Sequence, residues 1–107
     1  VGIGVRVEEY SGAVVEWLNG PVDVGALCSF VTTEPGLYPL LTGVDPYDDT
    51  CFNQRQTATL AAELRAVADR TQDEPTRAAA MAVLRLASLL ESAPGRPHHR
   101  RLLFIGD

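Results

Sequence analysis

Apolar and polar positions alternate at the start of the chain. Ile3, Val5 and Val7 interleave with Gly4, Arg6 and Glu8, the two-residue period of a strand with one wet face. Ser11-Gly12 supplies a turn, and Val14 to Leu18 is a second β-rich run, so an N-terminal hairpin is expected. Asn19-Gly20-Pro21 closes it, because glycine permits positive φ and proline withholds a ladder donor. Asp23 then caps a short helical pattern in which Val24, Leu27, Cys28 and Val31 share a face, opposed by Gly25 and by the β-branched run at Val31-Thr32-Thr33. Leu37 to Leu41 is apolar but broken by Pro39, which predicts a packed loop or edge segment.

The period changes to that of a helix after Asn53. Asn53 and Gln56 stand at capping-box spacing, with Thr50 a possible cap one turn earlier, and Thr57, Leu60, Ala61, Leu64, Val67 and Ala68 fall on one side as far as about Arg70. Thr71 with Glu74 fits a second capping box, Asp73 before Pro75 competes for the same role, and Ala80, Val83, Leu84, Ala87 and Leu90 form the next stripe, widened by Leu86 and Leu89. A connection of a few residues makes these two helices an antiparallel hairpin. Pro94-Gly95 ends the second helix, and Leu102-Leu103-Phe104-Ile105, apolar throughout, reads as a buried last strand that pairs with the N-terminal hairpin. The expected fold class is therefore α+β: a small antiparallel sheet, the N-terminal hairpin plus the C-terminal strand, covered by a two-helix hairpin.

Length adds that residues 1–107 form one domain, since the chain is long enough for one core and too short for two. An apolar content of 46% with 21% charged residues excludes general disorder, and no apolar run is long enough to span a membrane. The first residues lack the basic start and apolar run of a signal peptide, so a cytoplasmic protein is expected. All nine basic side chains are arginine, which with the alanine, glycine and proline content suggests a GC-rich, actinobacterial genome.

Charge changes the picture more. Of the net charge of −5, residues 1–50 carry one arginine against eight acids, a net of −7, and residues 51–107 carry eight arginines against six acids, a net of +2. Phosphate binding needs a basic footprint, so no nucleic-acid partner is expected for the acidic half, whereas a basic protein partner suits it. Cys28 and Cys51 match neither a redox motif nor a zinc site, and two reduced, buried thiols are expected, with a disulfide as the alternative.

The densest polar stretch is Asp45 to Gln56, DPYDDTCFNQRQ. Asp45, Asp48 and Asp49 offer a cation site, an acid and base pair, or charge for a partner; the spacing matches no calcium loop, and Asp45 before Pro46 suits an Asx turn. Tyr47 in this polar turn is a candidate contact residue. Asn53 and Gln56 supply either caps or exposed hydrogen-bond groups. His98 and His99, within RPHHRR, lack any metal spacing and read as part of a solvated basic loop, with two alternatives for Arg96, Arg100 and Arg101: an ion-pair cluster with the acids of the first half, or contact with a phosphate or an acidic partner. No nucleophile motif, Walker loop or dinucleotide fingerprint occurs, so no catalytic residue, metal ligand or cofactor is assigned.

With its helix pair and its closing LLFIGD, the stretch DPYDDTCFNQRQ resembles small uncharacterised bacterial proteins, chiefly actinobacterial, that combine an acidic Pro-Tyr turn, Thr-x-Phe-Asn-x-x-Gln and a terminal Phe-x-Gly-Asp. The likeness covers Asp45 to Gln56, Glu63-Leu64 and Phe104 to Asp107, and departs from the pattern at Asp48, where glycine would ease the turn. Its general form is immunity-like, or that of an accessory protein of a toxin system. The resemblance implies a site around Asp45, Tyr47, Asp49, Thr50, Asn53 and Gln56, and the charge and polarity of the stretch make a non-enzymatic protein-binding domain the expected function, with Asp45, Tyr47, Asp48, Asp49, Asn53 and Gln56 as its binding residues. Two alternatives stand beside it: a small metal-dependent or small-molecule-acting enzyme joining the acidic turn to His98 and His99, and a structural homodimer through Met81, Leu86 or Leu89.

Overall fold

The computed structural model describes residues 2–95 and 99–106. Four strands, β1 (Gly4–Glu9), β2 (Val14–Trp17), β3 (Thr50–Phe52) and β4 (Arg100–Ile105), form one antiparallel sheet in the order β2-β1-β4-β3. Three helices, α1 (Val24–Val31), α2 (Gln54–Arg70) and α3 (Glu74–Ala87), complete an α+β fold. The last strand enters the middle of the sheet, beside β1 from Gly4↔Ile105 to Glu9↔Arg100. β3, absent from the sequence reading, is its other neighbour, paired from Thr50↔Phe104 to Phe52↔Leu102.

The alternating pattern of the N-terminus determines which side of the sheet is covered. Val5, Val7, Phe52, Leu102 and Phe104 are buried together against Leu60, Leu64 and Val67 of α2 and Ala79, Ala80, Val83 and Leu86 of α3. Phe52 and Phe104 meet edge to face, their ring centroids 5.8 Å apart. α1 packs beside α3, contributing Val24, Leu27 and Val31, and Asp23 caps it by accepting the Ala26 N–H at 3.0 Å. Between α2 and α3 the cap is Asp73, which accepts from both the backbone N–H and the hydroxyl of Thr76; Thr71 ends α2 instead.

Three expectations are corrected. β4 is covered on one side only: Leu102 and Phe104 are buried, while Leu103 and Ile105 lie half-exposed on the other face. Leu86 is fully buried and cannot contribute to a dimer surface; Met81 of the same helix is 52% exposed. The cysteines are both free, as expected, but they are not both buried, because Cys28 is half-buried on α1 and Cys51 is exposed on β3. Burial raises the Cys28 thiol from 9.0 to about 11. Among the described residues no helix is long and apolar enough to cross a membrane.

Candidate functional site

The acidic turn stands where the helical layer meets one end of the sheet. A buried carboxylate sets its entry: Glu63, 6% exposed on the core side of α2, accepts the Leu40 N–H at 3.1 Å and the Leu41 N–H at 3.0 Å. Those amides open the 3-10 turn Leu41–Gly43, whose carbonyl-bonded exit at Val44 leads directly into Asp45. Its exit is set by α2. Asn53 accepts the Gln56 N–H at 2.9 Å and Gln56 accepts the Asn53 N–H at 3.0 Å, a complete capping box that uses both side chains.

Within the turn the expected Asx geometry is present. Asp45 Oδ1 accepts the Tyr47 N–H at 2.8 Å, the Asp45 N–H donates to Thr50 Oγ1 at 3.1 Å, and Asp48 Oδ1 accepts the Asp49 N–H at 2.7 Å. A second anchor comes from the far end of the chain. The backbone of Asp48 lies so close to Gly106 that a Cβ on Gly106 would overlap the Asp48 peptide atoms. The turn DPYDDT and the end of β4 at Gly106, distant in sequence, are therefore one structural unit.

Among the described residues, no cation pairs with the charge that the turn presents. Six of the eight described arginines are in ion pairs: Arg6 and Arg101 with Glu8, Arg70 with Glu34, Arg77 with Glu74, Arg85 with Glu16 and Arg100 with Glu9. Asp45, Asp48 and Asp49 are exposed and have no ion pair among the described residues. Tyr47 is 74% exposed beside them. Behind Pro46 and Tyr47 a groove of about 340 Å³ runs between the turn and α1, floored by Leu41 and Val44 and walled by Cys28, Ser29 and Thr32. It is a mostly apolar recess that adjoins the acidic turn at Pro46 and Tyr47.

Of the sequence-derived candidates, then, Asp45, Tyr47, Asp48 and Asp49 share one exposed turn, while Asn53 and Gln56 hold its end. His99 is elsewhere. Its Nδ1 lies 2.9 Å from Gln54 Oε1, at the opposite end of β4 from Gly106, and seven residues of extended chain put roughly 20 Å between it and the turn. His98 and Arg96 lie outside the described residues. Gln54 also donates to Ser92 at 2.7 Å, at one end of a second groove of about 420 Å³ between α2 and the end of α3, with Arg65 and Glu91 on its walls. No three His, Cys, Asp or Glu side chains among the described residues are grouped to hold a metal ion.

Glu63 is the residue whose role the periodicity did not bring out. Its signal was present, since a carboxylate at the i+3 position from Leu60 and i−4 from Val67 falls on the buried stripe. No family model matches the chain, and neither the curated proteins nor the solved structures contain a match to it.

Proposed function

We propose that the chain is a non-enzymatic protein-binding domain whose acidic turn engages a basic segment of a partner protein, in the manner of an immunity-like or accessory protein. The observation that carries this reading is the contrast in charge pairing: among the described residues six of the eight arginines are matched, and the three carboxylates of the turn are not. Unmatched exposed charge steers association and selects a partner of opposite sign. Asp45, Asp48 and Asp49 supply that charge, Tyr47 supplies contact area, and Asn53 and Gln56 keep the turn in place. The groove behind Tyr47 receives an apolar side chain next to the partner's lysine or arginine, so that charge sets the approach and burial sets the lifetime.

The test uses the wild-type chain and an Asp45→Asn, Tyr47→Ala, Asp48→Asn variant as baits in crosslinked pull-downs from the source cell. Asparagine keeps the acceptor oxygens that close the turn, so the variant is expected to melt with the wild type and lose the partner. Equal capture by both baits ends the proposal.

A further inference from the structure

The groove of about 420 Å³ between α2 and the end of α3 is larger than the one beside the acidic turn and shares no residue with it. Gln54, Ala58, Ala61 and Arg65 recur at helical spacing, so one face of α2 forms a wall, and Leu84 and Ala87 of α3 line the groove with them. Gln54 and Arg65 lie about 16 Å apart along the helix axis. α3 ends in the 3-10 turn Ser88–Leu90, after which the chain carries Glu91 and Ser92 to the Gln54 end, where Gln54 donates to Ser92 at 2.7 Å. The groove therefore has two unlike ends, and each holds a charge without a counterpart. Arg65 is one of the two described arginines outside any ion pair, and the Glu91 carboxylate has no partner among the described residues. They line one groove without pairing, since about three turns of helix separate its ends.

Hydrogen-bond donors are fixed at the acidic end. Gln54 gives one amide hydrogen to Ser92 while its Oε1 lies 2.9 Å from His99 Nδ1, which assigns the proton to Nδ1 and holds the Gln54 amide on both sides. The second Gln54 amide hydrogen and the Ser92 hydroxyl hydrogen have no acceptor among the described residues. We propose that this groove binds a short extended peptide of about five residues with both termini free, its ammonium on Glu91 and its carboxylate on Arg65. Five residues at roughly 3.3 Å each span the distance between the ends, whereas a dipeptide reaches only one charge. The Arg65 guanidinium suits a carboxylate through paired N–H donors, and Ser92 and Gln54 donate to the first peptide carbonyls. Ala58, Ala61 and Ala87 let a main chain lie close to the helices and admit only small apolar side chains on that side. Termini and main chain thus carry the recognition, and the site stands apart from the partner-binding reading.

Titration of the isotope-labelled chain with pentaalanine, its N-acetyl and C-amide forms, and dialanine tests it by NMR. Pentaalanine is expected to bind with a Kd below about 1 mM and to move the amide signals of Ala58, Ala61 and Ser92. Acetylation, amidation and shortening each weaken binding at least about tenfold. Arg65→Gln weakens pentaalanine by the same factor and no longer distinguishes it from its amide, and Glu91→Gln no longer distinguishes it from the acetylated form. Both side chains are exposed and unpaired, so these variants melt with the wild type. The Asp45→Asn, Tyr47→Ala, Asp48→Asn variant binds pentaalanine as the wild type does. Unmoved signals up to about 10 mM peptide, equal binding of free and capped peptides, or an Arg65→Gln variant that still discriminates the amide overturns the proposal.

Discussion

Glu63 and the acidic turn show the same chemical group used in two ways within one short stretch of chain. Glu63 is buried and gives both its oxygens to backbone amides at Leu40 and Leu41, so its charge is spent on holding α2 against the segment that enters the turn. Asp45 and Asp48 accept only local amides at Tyr47 and Asp49, and with Asp49 they face water without an ion pair among the described residues. A carboxylate whose bonds reach across the fold belongs to the fold. One whose bonds stay within two residues keeps its charge for something outside it.

The sharpest way to break this contrast is to remove the buried member. Glu63→Ala strands two amides in the interior, and we expect a loss of about 3 kcal/mol, with a lower urea midpoint at unchanged m-value; Glu63→Gln keeps one acceptor and costs about half as much. A loss below about 0.5 kcal/mol for Glu63→Ala would refute the structural role. Gly106→Ala comes next. Its methyl group overlaps the Asp48 backbone, which cannot retreat without opening the turn, and overpacking of this kind costs about 2 kcal/mol. Its amide-exchange signature should be faster exchange in residues 45–50 and little change in α3.

The alternation of Ile3, Val5 and Val7, the capping box at Asn53 and Gln56, and the helical stripes were sufficient to place the hairpin, α2, α3 and β4. β3 was not legible, because Thr50-Cys51-Phe52 is too short to show a period and sits in a polar turn; its pairing with β4 is decided about fifty residues away. The uniform run Leu102 to Ile105 predicted a buried strand without saying which residues face the helices, and the single covering layer leaves Leu103 and Ile105 half-exposed. Of the site, Asx geometry and capping were written locally in Asp45, Asn53 and Gln56. The Glu63 bonds and the Gly106 contact were not, since each joins segments that sequence order keeps apart.

Cys28 offers a smaller, pH-dependent effect from the groove beside the turn. Its thiol is raised to about 11 by burial, against 9.0 for an exposed one. A group raised in this direction favours the folded state fully below pH 9, and that contribution is lost as pH climbs from 9 to 11. Half-burial makes the loss modest, and Cys28→Ala should flatten it. At pH 8 the exposed Cys51 should react with iodoacetamide well before Cys28; equal rates would place Cys28 in open solvent.

The smallest effect on stability belongs to the turn, and its sign decides the comparison. Asp45→Asn with Asp48→Asn preserves the acceptors for the Tyr47 and Asp49 amides and removes two like charges from a cluster of three. If those charges face water and oppose one another, neutralising them raises stability by at most about 0.5 kcal/mol, and the gain shrinks as salt is added. Glu63→Gln, the same substitution type, moves stability the other way and is insensitive to salt, because its bonds are internal. A double asparagine variant that destabilises the chain as Glu63→Gln does would mean the turn's charges are already committed inside the molecule, and the distinction between the two kinds of carboxylate would fail with them.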